Sequence, residues 1–343
     1  MPDVRTSRIC SQGGLDRTAK AVDSCAMTKN IHLLGRRKFL ATMSGAGLAL
    51  GSGLNFSPAL AAGAPILMRK IPATGEQIPV IGMGSWVTFN VGTDIAVRTA
   101  GAEVLKTFFA EGGGMVDSSP MYGRAQDVIG WCLDYLQKAG TATDGLFSAT
   151  KVWTPVLEDG VTQMTASRKR WGVNRFDLMQ VHNLVDWEEH LDTLAADKEA
   201  GRVRYVGITT SHGRRHGDFA HIMENRPLDF VQFTYNILDR EAEDRLLPLA
   251  AERGLGVIIN RPFQRRNLIR KFTGKPLPEW AGEIDATSWP QFLLKFVVSH
   301  PSVTCAIPAT SNVDHMVENM NVGRGPMSDA AMRSRMVRYV ESL

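Results

Sequence analysis

Four side chains that could move a proton together occur in order along the middle of the chain. Asp117 and Tyr122 lie five residues apart after a short apolar stretch, and Lys151 and His182 stand near the ends of two later apolar stretches. A phenol with a pKa of about 10 becomes a useful acid when a nearby cation stabilises its anion. Lys151 could provide that cation, and Asp117 could keep it charged and oriented. This set predicts a proton-transfer site.

The surrounding elements explain how these side chains could meet. The glycines at 112–114 end a helix, because glycine adopts the left-handed cap conformation without a steric penalty. Strands are then predicted at 115–119, 146–152 and 176–182, with helix-length segments between them. In a (β/α)8 barrel, catalytic residues gather at the carboxyl ends of the strands. Asp117, Lys151 and His182 would therefore share one edge.

The same alternation of strand and helix continues to the end of the chain and predicts an α/β fold, a (β/α)8 TIM barrel. The other strands are predicted at 80–86, 203–209, 229–235, 255–259 and 303–308. The helices are predicted at 98–111, 126–139, 160–172, 187–200, 216–225, 240–253, 288–299 and 313–321. A hairpin at 68–79, an irregular polar loop at 264–286 and a final helix at 328–342 lie outside the eight units.

The motif Gly112-Gly113-x-x-x-Asp117-Ser118-Ser119-x-x-Tyr122-Gly123, the later Lys151 and the Asp177-Leu178-x-x-x-His182 strand resemble the aldo/keto reductases. The resemblance extends from about residue 68 to the C-terminus. It implies that the hairpin closes the bottom of the barrel and that the protein reduces an aldehyde or ketone with NAD(P)H. Tyr122 would be the general acid, assisted by Lys151 and Asp117, and His182 would donate a hydrogen bond to the substrate carbonyl.

Hydride chemistry requires a cofactor, and no Rossmann fingerprint with the correct glycine spacing is present. The resemblance implies instead a nicotinamide in the mouth of the barrel, with NADP(H) favoured and NAD(H) as the alternative. Phosphate could bind the free N–H groups of the helix after 307–312. The residues implied in cofactor binding are Thr209, Thr210, Gln232, Arg261, Pro262, Phe263, Ile307, Pro308, Thr310, His315 and Asn319.

Several of these positions depart from the family pattern. Thr209 and Thr210 replace the usual Ser-Asn, and Asn260 stands where a stacking aromatic is common. The Lys-Ser…Arg set that holds the 2′-phosphate of NADPH in many members reads Ala309, Thr310 and His315 here. The choice between NADP and NAD is therefore open, and Arg261, Arg265 or Arg266 are alternative phosphate contacts. Gln126 also replaces the Glu that usually follows the tyrosine motif.

Trp86 and Trp153 follow the first and third barrel strands, and with Asn183 they are the predicted substrate contacts. Their bulk favours a planar or aromatic carbonyl compound. The alternative for both tryptophans is that they only fill the hydrophobic core.

His212, His216 and His221 have a metal-like spacing, but the arginines at 214 and 215 would repel a cation, so no metal site is predicted.

The N-terminal segment resembles a twin-arginine (Tat) signal. Arg36 and Arg37 precede an uncharged run over residues 39–68, and Ala59-Leu60-Ala61 offers a small-x-small cleavage pattern. The prediction is a signal region over 1–61, cleaved after Ala61, followed by a single barrel domain over 62–343. An uncleaved membrane anchor is the alternative, and Met27 is an alternative start.

Removing this region changes the charge balance of the 343-residue chain. The whole sequence has a formal charge of +4, but residues 1–38 hold eight Lys or Arg and three Asp or Glu, and residues 39–61 hold none. The remainder therefore has 31 basic and 32 acidic side chains, which excludes a broad nucleic-acid surface.

Removal of the signal region also leaves two of the four cysteines, Cys132 and Cys305. Their predicted placement in a helix and a barrel strand argues against a disulfide between them.

Two classes of function follow. The first is a periplasmic or otherwise exported NAD(P)H-dependent reductase, whose partners are a small carbonyl compound and the Tat machinery. The second is an exported barrel without turnover that binds a nicotinamide or an apolar ligand as a sensor or partner subunit. The four catalytic residues favour the reductase, whereas the altered cofactor positions and the signal favour the binding protein.

Overall fold

A barrel of parallel strands forms the centre of the computed structural model, which describes residues 64–343. The predicted signal region lies outside these residues. In chain order the strands are β1 (Met68–Lys70), β2 (Gln77–Pro79), β3 (Met83–Gly84), β4 (Met115–Asp117), β5 (Phe147–Val152), β6 (Phe176–His182), β7 (Val203–Thr209), β8 (Phe230–Thr234), β9 (Gly256–Asn260) and β10 (Cys305–Ala306). Strands β3 to β10 form one eight-stranded sheet in sequential order, and every neighbouring pair in it is parallel.

Helices connect these strands on the outside. In chain order they are α1 (Ile95–Ala110), α2 (Ala125–Lys138), α3 (Leu157–Trp171), α4 (Trp187–Glu199), α5 (His216–Asn225), α6 (Leu246–Arg253), α7 (Asn267–Phe272), α8 (Trp289–Val298), α9 (Val313–Asn321) and α10 (Ala330–Glu341). Each of α1 to α6 follows one strand of the barrel. Helix α1 begins at an Asp94 cap, whose Oδ1 accepts the N–H groups of Ala96 and Val97.

The first and last strands of the sheet pair with each other and close the barrel. Ile81 forms a parallel bridge with Ala306, and the N–H of Ala306 donates to the carbonyl of Val80. The close approach depends on glycine at 82 and 84. A Cβ on Gly84 would lie 2.8 Å from the carbonyl oxygen of Ile307, and one on Gly82 would lie 2.9 Å from that of Met115. A larger residue at 84 would therefore push the first strand away from the segment after β10, and one at 82 would push it away from β4.

The hairpin of β1 and β2 covers the amino-terminal end of the barrel. Its Ile71 and Ile78 pack with apolar side chains of the barrel strands, among them Phe147 and Phe230. The turn is also held by polar contacts, because the Tyr205 hydroxyl donates to Glu76 Oε2 over 2.6 Å. The hairpin therefore closes the bottom, and the predicted (β/α)8 fold is confirmed.

Most predicted elements agree with the structure. The bounds of β6, β7, α5 and α9 agree with the predicted ranges, and most others differ by one to three residues. The predicted strands at 80–86 and 303–308 are reduced to the short β3 and β10, although hydrogen bonds between the segments around them still close the barrel. Cys132 and Cys305 are both buried and unpaired, as predicted.

Two predictions about local structure were wrong. The helix predicted at 240–253 begins only at Leu246 and is preceded by a 3-10 turn at Glu241–Glu243. Pro248 explains the later start, because its ring would clash with the carbonyl of residue 244 inside a longer helix. The segment 264–286 is not an irregular loop, since it contains α7 and a 3-10 helix at Glu279–Ile284. Phe272 of α7 stacks on Trp289 with ring centroids 4.4 Å apart, which anchors this segment to α8.

Within residues 64–343, no helix combines the length and the apolar character needed to cross a bilayer. The same residues contain no group of three His, Cys, Asp or Glu side chains placed to hold a metal ion.

Candidate active site

A buried ion pair lies at the carboxyl end of the second and third barrel strands. Lys151 of β5 donates from Nζ to Asp117 Oδ2 of β4 over 2.5 Å and to the carbonyl of Ser118 over 2.9 Å. The side chains are 0% and 2% exposed, respectively. Burial lowers the pKa of Lys151, and the charge and hydrogen bond of Asp117 oppose that effect. Asp117 is therefore the group that keeps the buried ammonium charged.

Two glutamine side chains complete the hydrogen bonding of Asp117. Its Oδ1 accepts from Gln180 Nε2 of β6 over 3.2 Å and from Gln232 Nε2 of β8 over 3.1 Å. Both glutamines are buried. The carboxylate thus receives donors from three other strands, and this set fixes its orientation in the barrel interior.

Tyr122 lies on the loop after β4, beside Lys151 and His182. The Lys151 Nζ lies 5.4 Å from the centroid of the Tyr122 ring, and the Tyr122 and His182 rings meet edge to face at 5.8 Å. Burial and the charge of Asp117 raise the pKa of Tyr122. This differs from the expected lowering, because Lys151 directs its hydrogen bonds to Asp117 and Ser118 and faces the ring. The raised pKa keeps the hydroxyl protonated, which is the state that a general acid starts from, but it also opposes release of the proton.

His182 ends β6 and is also largely buried. Its Nδ1 lies 2.9 Å from Ser119 Oγ. Burial lowers the pKa of His182 well below the ordinary value, and the positive charge of Lys151 lowers it further. The imidazole is therefore neutral near pH 7, and a neutral imidazole has one N–H donor and one acceptor nitrogen.

The predicted contacts of the nicotinamide form a connected polar layer at the ends of β7, β8 and β9. Thr209 and Gln232 are neighbours in register, and the N–H of Thr210 donates to the carbonyl of Gln232 over 2.9 Å. Asn260 joins them, since its Nδ2 donates to the carbonyl of Thr210 over 2.9 Å and its Oδ1 accepts from Thr234 Oγ1 over 2.8 Å. Asn260, which stands where a stacking aromatic is common in the family, thus links the ends of β7, β8 and β9.

The loop after β9 presents cations. Arg261 has a positive φ of 52°, and its Nε is buried without a hydrogen-bond partner among the described residues. Pro262 and Phe263 are buried, and Phe263 packs in the main hydrophobic core. Arg265 extends to the loop after β3, where its guanidinium lies 4.2 Å from the centroid of the Trp86 ring.

The segment after β10 contains the remaining predicted cofactor residues. Ile307 and Thr310 are mostly buried, and Pro308 accepts the N–H of Gly84 over 3.1 Å. The side chain of Asn312 caps α9 by accepting the N–H of His315 over 3.0 Å. Asn319 is buried on α9. One of the helix N–H groups expected to bind phosphate is thus already occupied by the cap.

The predicted substrate residues lie around the same mouth. Trp86 and Trp153 are 38% and 40% exposed, so neither fills the core. Asn183 follows His182 with a positive φ of 56°, and its carbonyl accepts from Arg215. Met121, on the loop that carries Tyr122, is also exposed and belongs with the two tryptophans to an apolar rim. Further exposed apolar side chains follow β3 and β5, namely Val87, Ile95, Val97, Val156 and Val161.

Two residues of the site, Gln180 and Ser119, were not predicted from the sequence. The signal was present in the alternation of strand residues, because side chains two positions apart point to the same side. Gln180 precedes His182 by two positions, and Ser119 follows Asp117 by two. Gln126, which stands where the family usually has Glu, donates from Nε2 to Thr150 Oγ1 of β5 over 2.9 Å.

These features define a closed (β/α)8 barrel with a tyrosine, a buried Lys–Asp pair and a histidine at the carboxyl ends of adjacent strands. Residues 80–335 match the model of the aldo/keto reductase family. The chain therefore belongs to this family, and the resemblance is confirmed. It is similar to the aldo-keto reductase YhdN of Bacillus subtilis, at 26% identity over 63% of this chain and 66% of the relative.

Solved structures show the same fold. An aldo/keto reductase from Klebsiella pneumoniae in complex with NADP and acetate superposes with a TM-score of 0.65 at 19% identity, over 77% of this chain and 92% of that one. The thermostable aldo-keto reductase Tm1743 in complex with epalrestat superposes with a TM-score of 0.64 at 25% identity, over 81% of this chain and 99% of that one. Among the first curated relatives, the chain spans 50% to 66% of their length.

Proposed function

We propose that the protein reduces an aldehyde or ketone to an alcohol with NADP(H) as the favoured cofactor and NAD(H) as the alternative. The observation that supports this most strongly is the arrangement of the partly buried Tyr122 against the buried Lys151, Asp117 and His182. The family membership and the NADP bound by the Klebsiella relative agree with it. When bound, the nicotinamide supplies the hydride, which no side chain can provide.

The residues of this chain manage the proton and the position of the carbonyl. Tyr122 donates its hydroxyl proton to the carbonyl oxygen, and the ammonium of Lys151 stabilises the resulting phenolate. Asp117 keeps that ammonium charged in the buried site. His182 donates a hydrogen bond to the same carbonyl oxygen and orients the substrate.

The loop arginines fit the phosphate groups of a dinucleotide. Among the described residues, Arg214, Arg261, Arg265 and Arg266 make no salt bridge, and Arg261 Nε lacks a partner although it is buried. Burial lowers the pKa of Arg261, and the neighbouring positive charges of Arg265 and Arg214 lower it further against the opposing charge of Asp239. An anion would relieve this repulsion, so these arginines are proposed to replace the phosphate contacts missing at Ala309, Thr310 and His315.

The apolar rim indicates the substrate class. Trp86, Met121 and Trp153 expose apolar surface around the mouth that contains Tyr122. We therefore propose a planar or aromatic carbonyl compound, with Asn183 as a further polar contact.

A titration of the purified protein with NADPH and NADH, followed by tryptophan fluorescence, tests the function. We expect quenching, and oxidation of the bound cofactor when an aromatic aldehyde is added. The absence of binding by either cofactor would refute the reductase and favour the binding protein without turnover.

The cofactor proposal makes a prediction about Arg265. We expect Arg265→Ala to weaken NADPH binding by about tenfold, because a charge-assisted hydrogen bond contributes about 1.5 kcal/mol or more. The affinity for NADH, which lacks the 2′-phosphate, should fall much less if Arg265 contacts that group. Arg270→Ala on α7 is the matched control, and equal NADPH affinity of the wild type and Arg265→Ala would contradict the assignment.

We also propose that residues 1–61 direct export through the Tat system and are cleaved after Ala61. Arg36-Arg37, the uncharged run and Ala59-Leu60-Ala61 support this. Replacing both Arg36 and Arg37 by Lys is expected to leave the protein in the cytoplasmic fraction of its host. The Arg5→Lys/Arg8→Lys pair is the control, and unchanged fractionation of the first variant would contradict the proposal.

A further inference from the structure

Ser119 contacts both members of the site that face the carbonyl in the proposed reaction. It is buried, and its Oγ lies 2.9 Å from Nδ1 of His182. The same oxygen accepts the N–H of Met121 over 3.2 Å. Its main-chain carbonyl accepts the N–H of Tyr122 over 3.0 Å. One residue therefore holds the turn that carries Tyr122 and contacts the ring of His182.

The protons of these groups can be assigned by their hydrogen-bonding capacity. A serine hydroxyl has one proton to donate and can accept two hydrogen bonds. The Met121 N–H can only donate, so it occupies one acceptor position of Ser119 Oγ. Within residues 64–343, the remaining hydrogen-bond contact of this oxygen is Nδ1 of His182. Donation of the hydroxyl proton to Nδ1 satisfies the serine and requires Nδ1 to be unprotonated.

The opposite arrangement leaves two problems. If Nδ1 carried the proton and donated to Ser119, the buried serine hydroxyl proton would have no acceptor among the described residues, which costs about 1–3 kcal/mol. In addition, Nε2 of His182 would then be an acceptor and would face the lone pairs of a substrate carbonyl. A neutral His182 avoids both problems when its proton is on Nε2.

We infer that Ser119 is a positioning residue that donates to Nδ1 of His182 and holds this ring in the tautomer with the proton on Nε2. That tautomer is the one able to donate to a carbonyl oxygen. The kinetic consequence rests on the proposed reductase function, whereas the assignment of the tautomer does not.

The tautomer can be measured directly by nuclear magnetic resonance on the full chain with ¹⁵N-labelled histidine. The His182 signals are assigned by their absence in His182→Gln. We expect Nε2 to show the shift of a protonated ring nitrogen and Nδ1 that of an unprotonated one. In Ser119→Ala we expect intermediate shifts at both nitrogens, because the ring then exchanges between tautomers. A proton on Nδ1 in the wild type would overturn the inference, and this result requires no variant other than the His182→Gln used for the assignment.

Kinetics provide the second measurement. We expect Ser119→Ala to lower kcat about tenfold, as befits the loss of one hydrogen bond, with little change in the KM for the cofactor. Ser119→Thr retains the hydroxyl and should restore both the tautomer and the rate. Ser167→Ala is the control, because it removes another buried serine hydroxyl, on α3, that has no partner among the described residues. This variant should change neither the tautomer of His182 nor the rate.

The outcomes separate this inference from the proposed function. A wild type that reduces no carbonyl compound refutes the function, and the spectrum still decides the role of Ser119. A wild-type tautomer that persists unchanged in Ser119→Ala shows that Ser119 does not set it.

Discussion

The Tyr122→Phe variant is expected to lose carbonyl reduction by about 10²–10⁴-fold while it still binds the cofactor. The substitution removes only the hydroxyl that donates the proton and keeps the ring against Lys151 and His182. The measurement is kcat with an aromatic aldehyde, together with the fluorescence titration of cofactor affinity.

Tyr135→Phe is the matched control for this experiment. Tyr135 lies on α2, where its ring stacks on Trp131, and removal of its hydroxyl should leave turnover unchanged. Full activity of Tyr122→Phe would show that the proton comes from another group. Cofactor binding without turnover in the wild type would instead support the binding-protein alternative.

We expect Asp117→Asn to destabilise the folded protein by about 3–5 kcal/mol, because it leaves the buried Lys151 ammonium without its counter-charge. The pKa of Lys151 should fall further below its unfolded value of about 10.4, so the unfolded state would bind more protons. The stability of the variant should therefore rise as pH increases toward that value. Urea unfolding at several pH values measures both effects.

Two further variants make this test specific. Asp134→Asn removes one partner of the exposed Lys138–Asp134 pair and should cost about 0–1 kcal/mol. Asp117→Asn combined with Lys151→Met removes both buried charges and should recover part of the lost stability. A cost for Asp117→Asn as small as that for Asp134→Asn would contradict the importance of the buried pair.

The residues that sequence reasoning could locate were those with strong local signals. The apolar runs of β6 and β7 fixed their bounds, and the order of Asp117, Tyr122, Lys151 and His182 indicated a common strand edge. The structure adds what local sequence does not contain. Strand alternation could have indicated Gln180 and Ser119 as site residues, but not their hydrogen-bond partners, Asp117 and His182 respectively, which lie 63 positions away in the sequence.

Errors in the prediction also have physical causes. The start of α6 was placed too early because a single proline overrode a favourable helical pattern. The helix α7 was missed because six residues are too few to show a clear period, and its stacking on Trp289 comes from tertiary packing. The pKa of Tyr122 was expected to fall because composition gives the presence of Lys151 but not the direction of its hydrogen bonds.

The pairing of Ile81 with Ala306 also affects how the protein is made. These partners lie near opposite ends of the domain, so a ribosome must synthesise nearly all of it before the first barrel strand finds its second neighbour. Contacts at such long sequence separation form slowly, because the chain between them must first be ordered. Until then the edge of β3 exposes unpaired backbone groups that another chain could join. We therefore expect barrel closure to be a post-translational step, and the nascent chain to depend on protection from aggregation until its last strand has emerged.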